Sequence, residues 1–311
     1  MVANERAEAS GLRVLLIANP VSGGGRGLAA AERCATELRR LGAVAEVYRT
    51  VAAGDAQRRA AAAAHEPWTT LVAVGGDGTV NEVLGGMGEL RQRLAMLPVG
   101  TANVLAIELR LPRRPEALAA AIVRGRTRQL AVGLANGRRF VLFCGVGLDG
   151  AVVHRLATTR SGTCGKVKWL APILHTLWHW PRCSLRATFG DGSVREGLGT
   201  VLVTRVRDYG GVVKLPASID VDDGRLHVVC FRARSRLAWL WLGLCGLCRC
   251  MRPGRWLEVV PTDSVRIEGH AWYQLDGDAG AAAPVDVTLD RYELQFVVAD
   301  GTANRGWARR D

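Results

Sequence analysis

Three short stretches of this chain combine glycine with side chains that can meet an anion. They are Asn19-Pro20-Val21-Ser22-Gly23-Gly24-Gly25-Arg26-Gly27, Gly75-Gly76-Asp77-Gly78-Thr79 and Gly100-Thr101-Ala102-Asn103. Each follows an apolar run that reads as a strand: Arg13–Ala18, Leu71–Val74 and Leu94–Leu97. Glycines let backbone N–H groups approach phosphate oxygens, and a helix beginning at the loop adds a favourable dipole. Loops leaving the C-terminal ends of parallel strands are also where open α/β sheets bind ligands. One such loop is as well explained by a tight turn; three at successive strand ends point to a phosphate site. Asp77 is an awkward direct neighbour for phosphate, because two anions repel, and a Mg2+ ion between them removes the conflict.

Two common phosphate motifs do not account for these loops. The chain has no G-x-x-x-x-G-K-[ST], so it is not a P-loop enzyme. A G-x-G-x-x-G does occur at Gly145, Gly147 and Gly150, but a dinucleotide fold wants an acid about 20 positions on. Between Ala151 and Gly190 there is no Asp or Glu, so this match is expected to be a turn of the second domain.

The elements that must carry the loops alternate between strand and helix. Helices are expected at Leu28–Leu41 (closed by Gly42), Asp55–His65, onward from Thr79 through Leu84, and Pro115–Arg124, with a further strand at Ala43–Tyr48. Continuous apolar strands with helices between them indicate a parallel sheet covered on both faces. After Gln129 the pattern changes to short runs at Arg139–Cys144, Ser184–Phe189, Leu198–Thr204, Leu226–Phe231, Trp256–Val260, Ser264–Glu268, Ala271–Gln274, Val285–Leu289 and Glu293–Val298. Turn pairs such as Asp191-Gly192 and Asp223-Gly224 separate several of them, which predicts an antiparallel, sandwich-like half with a helical insertion near residues 151–180. The expected division is 12–129 and 130–299, with flexible tails at 1–11 and 300–311.

The sequence has 311 residues, and its 41 Lys+Arg against 29 Asp+Glu give a net charge of +12. With 49% hydrophobic residues it is neither disordered nor collagen-like, and its basicity suggests an anionic partner. Residues 232–255 hold six arginines and no acid around a Leu- and Trp-rich run, Leu237–Cys248. The region 151–190 adds Arg155, Arg160, Lys166, Lys168, Arg182 and Arg186, again without an acid. The apolar run is too short for a bilayer, which takes about 20 residues. It fits a helix lying at a headgroup interface or a core helix with an arginine rim, and both readings stay open. No helix-turn-helix, zinc-finger or RNA-recognition signature is present, so nucleic acid is not an expected partner. Cys245, Cys248 and Cys250 lack a fourth metal ligand nearby and read as ordinary small residues, and His154, His175 and His179 as packing or surface groups. No signal-peptide pattern is seen at the start, and the expected location is cytoplasmic, peripheral to a membrane.

With Asn19-Pro-Val-Ser-Gly, GGDGTVNEV from Gly75 and LPVGTANVLA from Leu97 in this order, the chain resembles the diacylglycerol kinase catalytic domain family. That superfamily includes sphingosine and ceramide kinases and the bacterial soluble lipid kinases. The likeness continues through GVGLDGAVV (Gly145–Val153), DYGG (Asp208–Gly211), DDGRLHVV (Asp222–Val229) and QLDGD (Gln274–Asp278). It implies a three-layer α/β domain like that of NAD kinases and diacylglycerol kinases, then a mostly antiparallel β-sandwich that takes the lipid, with ATP between them. Asn19, Ser22, Gly23, Arg26 and Thr50 would lie by the nucleotide, and Gly75, Gly76, Gly78, Thr79, Gly100, Thr101 and Asn103 would line its phosphates. Asp77 would reach a catalytic Mg2+, directly or through water. Asp276 matches the family's base for the lipid hydroxyl, and Asp278 stands where a glutamate is usual. A second, structural Mg2+ would take the Asp223 side chain and the carbonyls of Asp220 and Arg225.

Two positions depart from the family pattern: Val104 and Ala131 stand where many members carry aspartate, which thins the acidic network around the metal. The expected reaction is in-line transfer of the ATP γ-phosphoryl to a lipid hydroxyl, diacylglycerol-like or sphingoid-like, with Asp276 accepting the proton. Its alternatives are a kinase of a soluble acceptor such as NAD, and a nonenzymatic nucleotide sensor that lost turnover with the two acids.

Overall fold

The computed structural model describes residues 11–159, 170–179, 183–220, 223–233 and 235–299. The expected tails, and Arg160, Lys166, Lys168, Arg182, Asp222 and Arg234, lie outside them. The contacts of the described residues fall into two compact units, one of residues 11–130 with 292–299, the other Ala131–Arg291.

In the first unit β1 (Arg13–Ala18), α1 (Gly27–Arg40), β2 (Val44–Arg49), α2 (Asp55–Ala63), β3 (Thr70–Gly75), α3 (Asp77–Gly86), β4 (Arg93–Pro98), α4 (Val104–Glu108) and α5 (Pro115–Arg124) follow in turn. The strands pair in parallel in the order β2-β1-β3-β4. β1, β3 and β4 are buried almost throughout, as strands covered on both faces must be, while the edge strand β2 alternates. Ala31, Cys34, Ala35 and Leu38 recur at helical spacing and bring α1 onto one face, where they join Leu118 and Ile122 of α5 with Val14, Leu16, Val72 and Leu97. The opposite side chains of the strands, Leu15, Ile17, Leu71 and Met96, are equally buried. There α2 and α3 approach closely: a Cβ on Gly86 would meet the Gln57 carbonyl at 2.2 Å. The result is three layers. Phe296, near the chain's end, pairs in parallel with Leu94 and completes the sheet.

The second unit contains β5 (Thr127–Ala135, entering from the first), β6 (Arg138–Phe140), β7 (Phe143–Gly147), α6 (Leu148–Thr159), α7 (Leu170–His179), β8 (Leu185–Phe189), β9 (Val194–Leu198) and β10 (Thr200–Thr204). The hairpin β11 (Asp208–Tyr209) and β12 (Val213–Lys214) precedes β13 (Leu226–Phe231), α8 (Arg236–Leu247) and β14 (Leu257–Thr262). Last come β15 (Ser264–Glu268), β16 (Trp272–Leu275), β17 (Asp278–Ala282) and β18 (Val285–Val297). One sheet runs β14-β13-β10-β7-β16-β17, and β9-β8-β15 continues to the first part of β18, all antiparallel. Val146, Val201 and Val228 from one and Phe189, Val265 and Val287 from the other fill a common core, so this unit is a β-sandwich.

Three differences from the sequence reading have visible causes. The run Arg139–Cys144 is two strands, because the amides of residues 141–143 bond to a carboxylate instead of to a neighbouring strand. β18 is one strand of 13 residues where a break was expected near Asp290; the buried Asp290 side chain is held by Arg139 at 2.6 Å, so no turn forms. β9 reads as polar, yet Arg195 spans to Glu258 and lies over the Phe189 ring, which lets that sequence pair as a strand. The G-x-G-x-x-G lies where β7 runs into α6, and its glycines serve packing. A Cβ on Gly145 would fall 1.5 Å from Asp149 Oδ2, and one on Gly150 would fall 2.0 Å from the Trp272 carbonyl. Alanine normally gains about 1 kcal/mol over glycine inside a helix. Gly150→Ala is nevertheless expected to destabilise the chain by about 2 kcal/mol, because the obstacle is backbone. Urea denaturation measures this, and an unchanged midpoint would contradict the packing account.

Candidate active site

The three glycine loops of the first unit are fastened to one another through backbone. Val99 and Gly100 both donate their N–H groups to the Gly75 carbonyl, at 3.0 and 3.2 Å. A Cβ on Gly100 would stand 2.5 Å from Gly76 Cα, and one on Gly23 would stand 2.3 Å from the Val99 carbonyl. Gly23, Gly24 and Gly25 have φ of 62°, 69° and 90°, the left-handed region that glycine enters without strain. Asn19 Oδ1 accepts the Val21 amide and Arg26 Nε donates to the Gly23 carbonyl, so both side chains shape the loop. Ser22 lies in the same turn, Thr101 is exposed beside Gly100, and Thr50 gives its hydroxyl to the Ala18 carbonyl at 3.3 Å. The expected nucleotide residues of loops β1–α1, β3–α3 and β4–α4 thus form one continuous glycine-lined surface, with Thr50 just behind it at the end of β2.

Asp77 opens α3 and spends its carboxylate on α4. Oδ2 accepts the Val104 amide at 2.9 Å and Oδ1 the Leu105 amide at 3.1 Å, caps that the sequence reading missed along with α4 itself. Burial pushes the carboxyl above its ordinary range, and the two amides pull against that. Val104, where an aspartate is common in the family, is buried and contributes only its N–H here. Asn103, at φ 49°, donates to the Gly100 carbonyl at 2.7 Å, while its buried Oδ1 has no hydrogen-bond partner. An orphaned carbonyl oxygen, a carboxylate and glycines whose Cβ atoms would fill the space suit a hard cation that draws its other ligands from phosphate and water. Asp77 and Asn103 are the residues that fit such an ion.

In the second unit two aspartates organise the end of β16. Asp276, at φ 50° in the turn before β17, is buried, and its carboxylate accepts the amides of Val141, Leu142 and Phe143 at 2.9, 2.9 and 2.7 Å. Asp278 is half exposed, 3.7 Å from Arg138. Asp149 of α6 receives Gln274 Nε2 at 2.7 Å and the hydroxyl of Tyr209, whose ring stands edge-on to Phe143 at 5.0 Å. Desolvation pushes the Asp149 carboxyl up to about 6. Three motifs carried by resemblance alone, GVGLDGAVV, DYGG and QLDGD, therefore meet on a carboxylate to which the sequence reading gave no role. The signal was their joint presence in one chain.

Residues 13–135 match the family model described as the diacylglycerol kinase catalytic domain. A diacylglycerol kinase of Bacillus subtilis (strain 168) is 28% identical over 221 residues, 70% of this chain and 73% of that one. One of Staphylococcus aureus (strain MRSA252) is 27% identical over 231 residues, 73% of each. Residues 13–135 thus carry the diacylglycerol kinase catalytic domain, and the similarity to these kinases extends beyond it. The chain is an enzyme of the lipid-kinase class. Two solved structures from Bacillus anthracis strain Sterne share its fold. One has a TM-score of 0.78 at 23% identity, covering 93% of this chain and 96% of its own. The other, of a diacylglycerol kinase, has 0.71 at 22%, covering 93% and 98%.

Two of the oxygens expected to hold a second, structural cation in this kinase, the Arg225 carbonyl and one of Asp223, already receive protein donors. The Arg225 carbonyl accepts the guanidinium of the buried Arg205, and Asp223 accepts the Arg225 amide at 2.9 Å on one oxygen. His227 Nε2 lies 3.2 Å from the other, and Asp220 offers its N–H toward the same ring. Arg225 and Asp223 are thus tied into the protein's own hydrogen bonds, and no step is derived through a metal there. Chelation with EDTA in the absence of nucleotide is expected to leave Tm unchanged, whereas Arg205→Met lowers it by several degrees. A clear fall in Tm on chelation alone would restore the metal.

Asp149 yields a pH prediction. Its folded pKa lies above the unfolded value, so its contribution is intact below about pH 4 and lost as pH rises through about 6. Asparagine can still receive Gln274, and the Tyr209 hydroxyl can reverse its role. Asp149→Asn should therefore raise Tm at pH 8, by an amount that shrinks toward zero as pH falls to 4. A difference independent of pH would contradict the titration.

Proposed function

We propose that this kinase transfers the γ-phosphoryl group of ATP to the hydroxyl of a lipid, with a diacylglycerol-like acceptor as the first candidate. The observation that carries the proposal is the set of loops joined at Gly75, Gly76, Val99 and Gly100, in a chain that carries the diacylglycerol kinase catalytic domain. The relatives named above are diacylglycerol kinases, which supports the choice of acceptor. In this reading Gly76, Gly78 and Thr101 present backbone donors to phosphate oxygens, Gly75, Thr79, Gly100 and Asn103 line the same surface, and Asn19, Ser22, Gly23, Arg26 and Thr50 bound the nucleotide. Positive-φ glycines aim successive N–H groups at an anion, and the N-terminus of α3 adds its dipole. Asp77 and Asn103 would hold Mg2+, which would supply neutralisation of charge on the phosphates. Asp276 takes the proton of the attacking hydroxyl, its carboxylate fixed in direction by three amides, and Asp278 adds negative charge close by in sequence. Most of the catalysis is then positioning and electrostatics.

The proposal includes peripheral attachment, on the cytoplasmic side, to an anionic membrane that contains the substrate. Among the described residues no helix is long and apolar enough to cross a bilayer.

Incubation with γ-labelled ATP, Mg2+ and a mixed lipid extract should place label in phospholipid. Label confined to water-soluble product would sink the proposal, and binding of ATP without transfer to any acceptor would favour a sensor. Asp276→Asn keeps an oxygen for the Leu142 and Phe143 amides while surrendering the Val141 bond, so the fold should survive. Its kcat is expected to fall by about a hundredfold or more with binding of an ATP analogue retained. Asp77→Asn should lower kcat to a similar degree and shift the Mg2+ dependence to higher concentration. Full lipid-kinase activity in either variant removes that residue from the mechanism.

A further inference from the structure

The helix α8 resolves an ambiguity left by its sequence, because its two sides have opposite fates. Ala238, Leu242 and Gly246 face inward, where a Cβ on Gly246 would meet Val213 at 2.4 Å. Leu237, Leu240, Trp241, Leu244 and Leu247 recur at helical spacing on the other side, and every one of them is exposed, Leu237 to 78% and Trp241 to 59%. Trp178 of α7, 64% exposed, extends this surface: Arg236 donates to its carbonyl at 2.5 Å and lies over its ring at 4.5 Å. A contiguous set of large apolar side chains in water is costly and marks an interaction surface.

The charges around it identify what it meets. Arg249, Arg252 and Arg255 follow α8 and are exposed, and no acid occurs from residue 232 to residue 257. Glu258, the next acid, is occupied by Arg195 and Arg232. A second copy docked face to face would set these arginines against their own counterparts with no acid to receive them. Anionic headgroups complement them, and an apolar stripe with tryptophan at its margin and arginines beyond its end is the pattern of a helix lying in a bilayer interface.

We infer that the exposed side of α8, with Trp178, is the surface by which this chain inserts into the headgroup region of an anionic lipid bilayer, with Arg249, Arg252 and Arg255 engaging lipid phosphates. The choice of a bilayer rests on the lipid-kinase reading, while the surface rests on the exposure and charge just described.

Sedimentation of the full chain with phosphatidylcholine vesicles, with and without one-quarter phosphatidylglycerol, tests it in the absence of ATP. Wild type should bind the mixed vesicles strongly and the neutral ones weakly. Leu237→Glu with Trp241→Glu, both at exposed positions, should leave Tm unchanged and weaken partitioning at least about tenfold. Arg249→Ser, Arg252→Ser and Arg255→Ser together should cost about a hundredfold on mixed vesicles and little on neutral ones. Undiminished vesicle binding by the double variant overturns the inference. So does a wild-type dimer that the double variant dissociates while vesicle binding is absent. Transfer to a water-soluble short-chain diacylglycerol separates the two readings. Variants that keep it and lose vesicles support the surface. Vesicle binding that depends on Leu237 and Trp241, without any lipid phosphorylation by wild type, sinks the kinase proposal and leaves the surface standing.

Discussion

The closest constraint in the first unit is the meeting of two backbones at Gly76 and Gly100. Any side chain at Gly100 would occupy the place of Gly76 Cα, and one at Gly23 would strike the Val99 carbonyl. Such contacts make the geometry of each loop depend on the others. Strands β1, β3 and β4 end together because they are parallel neighbours, and their loops are then drawn close enough for Val99 and Gly100 to share the Gly75 carbonyl. The amides of such a surface are set by the sheet before any ligand arrives, which spares the reorganisation that would otherwise oppose binding.

Aspartates do comparable work in both units, holding backbone amides that regular structure leaves over. Asp77 receives the first amides of α4, and Asp276 receives three amides from the segment between β6 and β7. Each carboxylate is thereby fixed in orientation, as a metal-binding or proton-accepting group needs to be. The same dependence makes alanine a poor probe at either position, since it would abandon buried N–H groups as well as a charge. Asp149 follows a different logic: its partners are side chains, and burial rather than backbone decides its protonation.

Much of this was legible in the sequence because it rests on local pattern. The apolar runs of β1, β3 and β4, and the helix Pro115–Arg124 with proline in its first turn and Gly125 at its end, declare themselves by composition and capping. What escaped depends on partners distant in sequence. Strand Val194–Leu198 reads as polar until Glu258 and Phe189 are placed beside Arg195, and β18 reads as broken until Arg139 is placed beside Asp290. Helix Val104–Glu108 is too short for periodicity to reveal, and Asp77 reaches it from 27 residues away. At α8 the difficulty was the reverse: a uniformly apolar sequence has no period to read, so only the packed structure tells the covered side from the exposed one.

The last strand has a bearing on how the chain is made. Phe296, Val297 and Val298 are fully or almost fully buried, Phe296 beside Leu94 and Val298 bonded to the Arg126 carbonyl, so the first unit is assembled from both ends of the described sequence. A ribosome delivers β1 to β4 long before it delivers these residues. Until then the outer edge of β4 lacks its neighbour, and the unit that begins first cannot be the first to finish. Domain-by-domain maturation from the N-terminus, usual for chains of this size, is therefore barred here. The sandwich must be synthesised before the sheet of the first unit gains its last strand.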